Sequence, residues 1–382
     1  MWYKRDLSSN IPSNMLPAKV LKGPRQVGKT SLLEHLGYGE VIYLDDPATR
    51  RFAQQDPRTF LDQYPSTLIL DEAARAPELF IEIKRRVDEQ RRKKNKKEID
   101  YWITGSNQTL LRKNVSESLA GRASFFDLNT LSVHEIGLLD LESHTFRGGW
   151  PELRANPELD PIRYLTDLII SFVERDIVAA AGIEKVGAFN QVLALNAGRI
   201  GQLYIPSEIA QLCSVDITTV QSWNNLLTLN GLITLVPPYF SNLNKRLIKT
   251  SKLYFQDVAL ATRLQGWTEY KPLFTSPAMG SIFENIVFSE LHRAFINRGM
   301  TPKIFHVRSK EKVEIDFLVE LPNQKFIALE AKLTPSDFTS QQKKLLDSLN
   351  LNIVGNFLVS PTIGPHLANS TNIKVDQIWD LF

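Results

Sequence analysis

The sequence predicts an α/β protein in three consecutive parts: a parallel-sheet α/β domain over 1–140, a helical and winged-helix domain over 141–265, and a second α/β domain over 266–382. Three observations predict it. Short apolar runs alternate with helical patterns in the first third, the runs stop near residue 140 in favour of helical spacing, and runs and helices return after about residue 270. The length agrees, since 382 residues at roughly 100–200 per domain make two to four domains, each able to bury its own core.

Hydrophobic residues at 43% and charged residues at 23% are ordinary for a folded chain and exclude disorder or a membrane-embedded body. The lone Cys213 rules out an internal disulfide or a cysteine metal cluster and points to a reducing compartment. The opening MWYKRDLSSNIPSNM has no apolar leader, and the most apolar long stretch, YLTDLIISFVERDIVAAAGI, is broken by Asp167, Glu174, Arg175 and Asp176. A cytoplasmic protein without a membrane partner is expected. The net charge of +3 is too small to identify a nucleic-acid partner by itself.

Five strands are expected in the first part: Val20–Leu21, VIYL at 41–44, TLILD at 67–71, YWIT at 101–104 and SFFDL at 124–128, with helical crossovers that make the sheet mostly parallel. Between the first strand and the helical TSLLEHL, the residues Gly23, Pro24, Arg25, Gln26, Val27, Gly28, Lys29 and Thr30 spell G-x-x-x-x-G-K-T. The glycines let the loop curl so that its N–H groups converge on phosphates. Lys29 neutralises the β- and γ-phosphates of ATP, and the Thr30 hydroxyl, with Ser31 as a weaker neighbour, is a magnesium ligand.

The third strand ends in Asp71-Glu72, beside that loop in a parallel sheet. Asp71 is expected to hold Mg2+ through water, and Glu72 to take the proton of the water that attacks the γ-phosphate; the plainer reading is an acidic pair capping the helix APELFIEIKRRV. The fourth strand ends in Gly105-Ser106-Asn107, where either polar side chain can orient the water, or where a turn needs no function. Arg122, in SLAGRA, suits the nucleotide of a neighbouring subunit in a homo-oligomer, or else a helix end.

GPRQVGKTSLL, VIYLDDP, LILDEAARAPEL, ITGSN and SLAGRA together resemble the AAA-type P-loop ATPase domain of a widespread bacterial and archaeal family in which a carboxy-terminal domain of uncharacterised function follows. The later segments FRGGWPEL, FVERDI, GSIFENIVFSEL, EIDFLVE and IALEAKL resemble the same family, so the likeness spans nearly the whole chain. It implies phosphate and magnesium contacts at Lys29 and Thr30, a second acidic motif at Asp71 and Glu72, a sensor at Ser106 or Asn107, and an arginine finger at Arg122. Two departures stand out: a first strand, AKVLK, less apolar than usual, and Ala73-Ala74-Arg75 where the family commonly has a glutamine.

In the middle part, a helix at PSEIAQLC, the turn SVD, a helix at ITTVQSWNNLLTLNGL and two β-like runs outline a winged helix. Thr218, Gln221, Ser222, Asn224 and Asn225 face outward on the predicted recognition helix, which has no lysine or arginine and begins at Asp216. Basic residues sit on the wing instead, at Lys245, Arg246, Lys249 and Lys252, and in the run from Lys84 to Lys97, which also reads as a solvated helix end. DNA binding and a packing or protein-contact role both remain open.

The last part begins with a helix at about 279–297 and continues with strands at KIFHV, EIDFLVE and KFIALEAKL, a helix near 338–348 and a strand at IVGNFLVS. Asp316 lies on one strand, Glu330 and Lys332 share a face of the next, and Glu284 lies on the first helix. An acid before Glu-x-Lys on core strands resembles the restriction-endonuclease-like PD-(D/E)xK core, whose carboxylates hold Mg2+ or Mn2+ and whose lysine activates water. That resemblance implies Glu284, Asp316 and Glu330 as metal ligands and Lys332 as a catalytic group; an ion pair between Glu330 and Lys332 is the structural alternative. His306 reads as a strand residue.

The sequence therefore supports an ATPase whose turnover gates nucleic-acid binding or metal-dependent cleavage. The alternative is a nucleotide-controlled switch that recruits protein partners through an inactive nuclease-like domain.

Overall fold

The computed structural model describes residues 1–92, 99–137, 139–239, 249–364 and 367–382, with only the backbone of 174–176 and 180. Five strands, β1 (Ala18–Lys22), β2 (Glu40–Tyr43), β3 (Thr67–Asp71), β4 (Asp100–Thr104) and β5 (Ala123–Asp127), form one sheet in the order β2-β3-β4-β1-β5. Every pair is parallel, as the apolar runs and helical crossovers require. The central strands are buried on both faces; Leu68, Ile69 and Leu70 all lack exposure, so these runs do not alternate. That burial puts functional chemistry at the carboxyl ends, where β1, β3 and β4 release their loops side by side.

The middle unit is helical from Leu141 to Leu229 before its two strands. Over the apolar stretch at 163–181, the helix Pro161–Leu168 continues as a π-helix over Ile169–Val178. Pro206–Cys213 and Ile217–Leu229 form the predicted helix-turn-helix, with Ser214 left-handed at the turn. Two antiparallel strands follow, β6 (Ile233–Val236) and β7 (Lys252–Phe255). Lys245 and Arg246 of the expected wing lie outside the described residues, as does the 93–97 portion of the basic run.

The helix Ala278–Ile296 precedes a mixed five-stranded sheet of β8 (Ile304–Arg308), β9 (Glu314–Leu321), β10 (Lys325–Ala331), β11 (Asn352–Val359) and β12 (Thr371–Ile373). β8, β9 and β10 are an antiparallel meander, and the crossover helix Ser340–Asp347 brings β11 parallel to β10. β12 and the terminal 3-10 turn Val375–Leu381 carry no pattern strong enough for the sequence reading, which missed both.

One apolar cluster runs through all three units, from Leu21, Ile69 and Trp102 through Phe189, Leu227 and Tyr254 to Phe283, Phe288 and Phe317. A buried polar lock reinforces it. Arg293 donates to Glu290 at 2.8 Å, to the Thr130 hydroxyl at 2.6 Å and to the Gln256 carbonyl at 2.9 Å, while Val133 N donates to Glu290 at 2.8 Å. Gly148 and Gly149 make the neighbouring approach feasible, because a Cβ on either would lie about 2 Å from Asp257 Oδ1 or the Leu131 carbonyl. Among the described residues, no helix is long and apolar enough to cross a membrane.

Candidate functional sites at the nucleotide loop and the C-terminal cleft

The loop between β1 and the helix Lys29–His35 turns on its two glycines. Gly28 is left-handed at φ 85°, and a Cβ there would meet nothing within 4 Å; Gly23 has φ 150°, and a Cβ would lie 2.0 Å from the Leu128 carbonyl. The first keeps space in front of the loop, and the second permits contact behind it. Lys29 is buried with its Nζ on the carbonyls of Gly23 at 3.0 Å and Pro24 at 2.8 Å.

The acidic pair arrives where the parallel sheet predicts. Thr30 donates its hydroxyl to Asp71 Oδ1 at 2.8 Å, and Thr104, at the end of β4, donates to the same oxygen. A hydroxyl and a carboxylate from two converging elements form a donor set that fits Mg2+ carried with a nucleotide. Glu72 stands in the left-handed region at φ 53°, and its Oε1 accepts from Ser106 N at 3.0 Å. A non-glycine residue in that conformation carries strain of about 1–2 kcal/mol, held here by the fold beside the loop.

Of the sensor candidates, Ser106 is buried against Glu72, and Asn107 caps the helix Gln108–Ser118 by accepting from Leu110 N at 2.9 Å. Arg122 is held bidentately by Asp88 of its own unit, at 2.7 and 3.0 Å. Pro24 and Val27 are buried, Arg25 and Thr30 are half-buried, and Gln26 and Ser31 are exposed.

Two residues that matter to this loop went unread in the sequence. Gln108 donates to the Gly23 and Gly105 carbonyls, both at 2.8 Å, tying the end of β4 to the loop. Arg5 is buried and donates to the Val27 carbonyl at 2.9 Å and the Asn129 carbonyl at 2.6 Å, with Glu135 at 3.1 Å. No local pattern distinguishes that arginine from any other near a terminus. A cavity of about 390 Å3 opens beside Gly28, walled by Trp2, Tyr3, Arg5, Pro151 and Tyr164.

The second site is a cleft of about 860 Å3 between the middle and C-terminal units. Glu284, Asp316, Glu330 and Lys332 all line it, together with Glu314. Asp316 and Glu330 interlock: Asp316 N donates to Glu330 Oε1 at 3.1 Å, and Ala331 N to Asp316 Oδ2 at 3.0 Å. Lys332 Nζ lies 2.9 Å from Glu330 and 3.6 Å from Asp316. Burial, reinforced by Asp316, pushes the Glu330 and Glu284 carboxyls well above the usual carboxylate range.

Lys252 corrects the sequence reading most sharply. Expected on an exposed wing where it could meet a nucleic-acid backbone, it is only 2% exposed, and its ammonium lies among the carboxylates. Glu284 is 2.9 Å away, Glu314 is in direct contact, and Asp316 is at 3.9 Å. Burial alone would depress the amine, but Glu284, Asp316 and Glu314 more than reverse this and hold it above the usual lysine range. The β-like run that became β7, read as part of a basic wing, carried no sign of the carboxylates across the domain boundary. Glu314 itself was legible, being two residues before Asp316 and so on its face of β9.

A smaller correction concerns Asn224. It is buried, accepts from Asn196 and donates to the Tyr204 hydroxyl, both at 2.6 Å, and is unavailable to base edges. Thr218, Gln221, Ser222 and Asn225 are exposed. Arg85 and Arg86 of the basic run pair with Glu82, Glu89 and Asp62. His306 lies buried in β8 with Nε2 at 2.9 Å from the Thr250 carbonyl, as a strand residue should.

Residues 16–137 match the family model of an AAA domain, so the N-terminal unit is similar to the AAA-type ATPase domains of that family. Residues 138–271 and 279–365 match two different domains of unknown function. Uncharacterized proteins of Mycobacterium bovis and Mycobacterium tuberculosis are each 27% identical to this chain over 335 residues, covering 87% of it and 74% of theirs. Among solved structures, the Aeropyrum pernix ORC2 protein in its ADP form shares 11% identity at a TM-score of 0.30, covering 60% of this chain and 83% of that one. A Thermotoga maritima RuvB mutant shares 16% at 0.29, covering 61% and 86%.

Proposed function

We propose that this protein binds and hydrolyses ATP in the N-terminal unit and that its nucleotide state governs how the cleft between the other two units engages a partner. The observation that carries the first half is the meeting of three strand ends: Thr30 on Asp71 at 2.8 Å, with Glu72 placed by Ser106 N. The loop N–H groups and Lys29 take the phosphates, and the cavity beside Gly28 receives the base against Trp2 and Tyr3. Thr30 and Asp71 would hold the magnesium ion, which supplies charge neutralisation on the phosphate oxygens.

Glu72 performs the proton transfer. As water forms its bond to the γ-phosphorus, the bond from that phosphorus to the bridging oxygen breaks, the oxygen leaves with the electron pair as part of ADP, and the water proton passes to a Glu72 oxygen. Removing that base by Glu72→Gln is expected to lower turnover by about 100-fold or more while leaving ATP binding intact. Lys29→Ala should lose both. Phosphate release and equilibrium nucleotide binding, measured on the same preparations, check it; full turnover in Glu72→Gln overturns the assignment.

For the effector, the α-β-β-β-α-β order of the C-terminal unit and the set Asp316, Glu330 and Lys332 support a restriction-endonuclease-like core. The helix-turn-helix and two-stranded sheet support a winged helix beside it, so nucleic acid is the first class of partner to test, by salt-dependent binding. The carboxylates do not fit Mg2+ or Mn2+ as arranged, because the Lys252 ammonium stands among Glu284, Glu314 and Asp316. No cleavage step is assigned. That same observation favours the second reading, a nucleotide-controlled switch that contacts partners without cutting them. Assemblies using Arg122 belong to the same proposal, tested by the oligomeric state with and without ATP.

A further inference from the structure

We infer that the Lys252 ammonium is the resident cation of the C-terminal carboxylate cluster, and that β7 thereby latches the cluster shut against divalent ions. The inference deepens the reading of the cleft as the effector site, and its test uses no nucleotide, so failure of ATP turnover would leave it standing.

Three features make the arrangement a latch. The first is the match between donor and acceptors. The ammonium is in contact with Glu284 from the helix Ala278–Ile296 and Glu314 from β9, with Asp316 of the same strand at 3.9 Å. A magnesium or manganese ion shared by these carboxylates needs their oxygens at roughly 2.0–2.2 Å, and a buried ammonium in their midst denies it that position.

The second is charge. Glu314 also pairs with Arg308 at 2.6 Å, and Lys332 lies across Glu330 and Asp316. Lys252 completes a cluster in which Glu284, Glu314, Asp316 and Glu330 face Lys252, Lys332 and Arg308, so that even with every carboxyl ionised no more than one net negative charge is left. A cluster so neutralised has little attraction left for a divalent ion; without Lys252 the fully ionised cluster would carry two.

The third is rigidity. Lys252 pairs with Val236 in the two-stranded sheet and bridges to Leu203, so its position belongs to the middle unit. Asn285 clamps that strand by accepting from Phe255 N at 2.8 Å and donating to its carbonyl at 3.0 Å. Tyr254 donates its hydroxyl to Glu284, one residue along the helix from the clamp. The backbone that carries Lys252 is thereby fixed beside the cluster.

The test is Mn2+ binding to the full nucleotide-free chain, read from the loss of the free-ion electron paramagnetic resonance signal. Lys252→Met, which keeps the length of the side chain without its charge, should bind Mn2+ at least about tenfold more tightly than wild type, or about 1.4 kcal/mol. Adding Glu284→Gln should abolish the gain. The melting temperature of Lys252→Met should fall in EDTA and recover with Mn2+, while wild type responds to neither. Wild type binding as tightly as Lys252→Met, or a gain that survives Glu284→Gln, overturns the inference. Should Lys252→Met fail to fold, Lys252→Gln takes its place, and failure of both to yield a Mn2+-binding chain also overturns it.

Discussion

Two acidic sites in this molecule rest on similar raw material, carboxylates at the ends or faces of buried strands, and differ in what meets those carboxylates. At the nucleotide loop, Asp71 accepts from the hydroxyls of Thr30 and Thr104, and Glu72 from a backbone amide. Neutral donors fix the orientation of a carboxylate without cancelling its charge, which leaves it able to serve a cation that arrives with substrate. In the C-terminal cleft, Lys252, Lys332 and Arg308 answer the carboxylates directly. The same residue types thus make a site prepared for a ligand in one place and an internally neutralised one in the other. The small β6–β7 sheet touches both: Gly231 at one end lies so close to Pro24 that a Cβ on it would be 3.3 Å from the proline ring, and Lys252 is at the other.

The largest effect is expected from Arg293→Met, which tests whether the two sites belong to one cooperative body. Loss of the guanidinium strands Glu290, whose carboxyl burial already pushes up to about 7, along with Thr130 and the Gln256 carbonyl. Breaking a buried pair of this kind costs about 3–5 kcal/mol. A single lowered melting transition is expected by calorimetry; two separated transitions would show that the nucleotide site and the cleft unfold independently.

His292 sharpens the comparison through pH. Burial and the adjacent Arg293 hold its imidazole down to about 3, so the folded chain keeps it neutral where the unfolded chain takes up a proton. Stability from this residue is full above an unfolded value near 6.5 and declines as pH falls toward 3, by at most about 1.4 kcal/mol per unit. His292→Gln cannot titrate. The stability gap between wild type and His292→Gln, measured by urea unfolding, should shrink by about 2 kcal/mol between pH 6.5 and 5; a constant gap would contradict the buried neutral state.

Arg5→Met comes next; it breaks a buried pair with Glu135 and also loosens the nucleotide loop. It removes the charged hydrogen bonds that hold the Val27 and Asn129 carbonyls, each worth about 1.5–3 kcal/mol in a buried setting. ATP affinity should fall by about tenfold, or 1.4 kcal/mol, without any change in the Mn2+ response of the cleft.

How far the sequence could be read follows the same division. The five parallel strands and the positions of Lys29, Thr30, Asp71 and Glu72 were legible because a buried parallel strand is a short apolar run, and its carboxyl end is where the loop must be. Asp316, Glu330 and Lys332 were legible as a convergence because alternation along β9 and β10 puts them on one side, and Glu284 was legible only through the family resemblance of its helix. Lys252, Arg5 and Gln108 were not. Each acts on a partner tens to more than a hundred residues away, across a packing interface, and a pattern confined to a strand or turn has no information about the charge on the opposite face.

The smallest effect is expected at Arg122, where the sequence suggested a contact to a neighbouring nucleotide. Its guanidinium is instead occupied by both oxygens of Asp88, in a pair about one quarter exposed on each side. Water screens a pair exposed in this way, so Arg122→Ala should lower stability only slightly. Turnover by dilute protein should be unchanged, since Arg122 is already engaged within its own unit. The discriminating measurement is turnover against protein concentration. If activity per chain rises with concentration in wild type and stays flat in Arg122→Ala, the arginine has left Asp88 for a neighbouring subunit, and the nucleotide site is completed only by assembly.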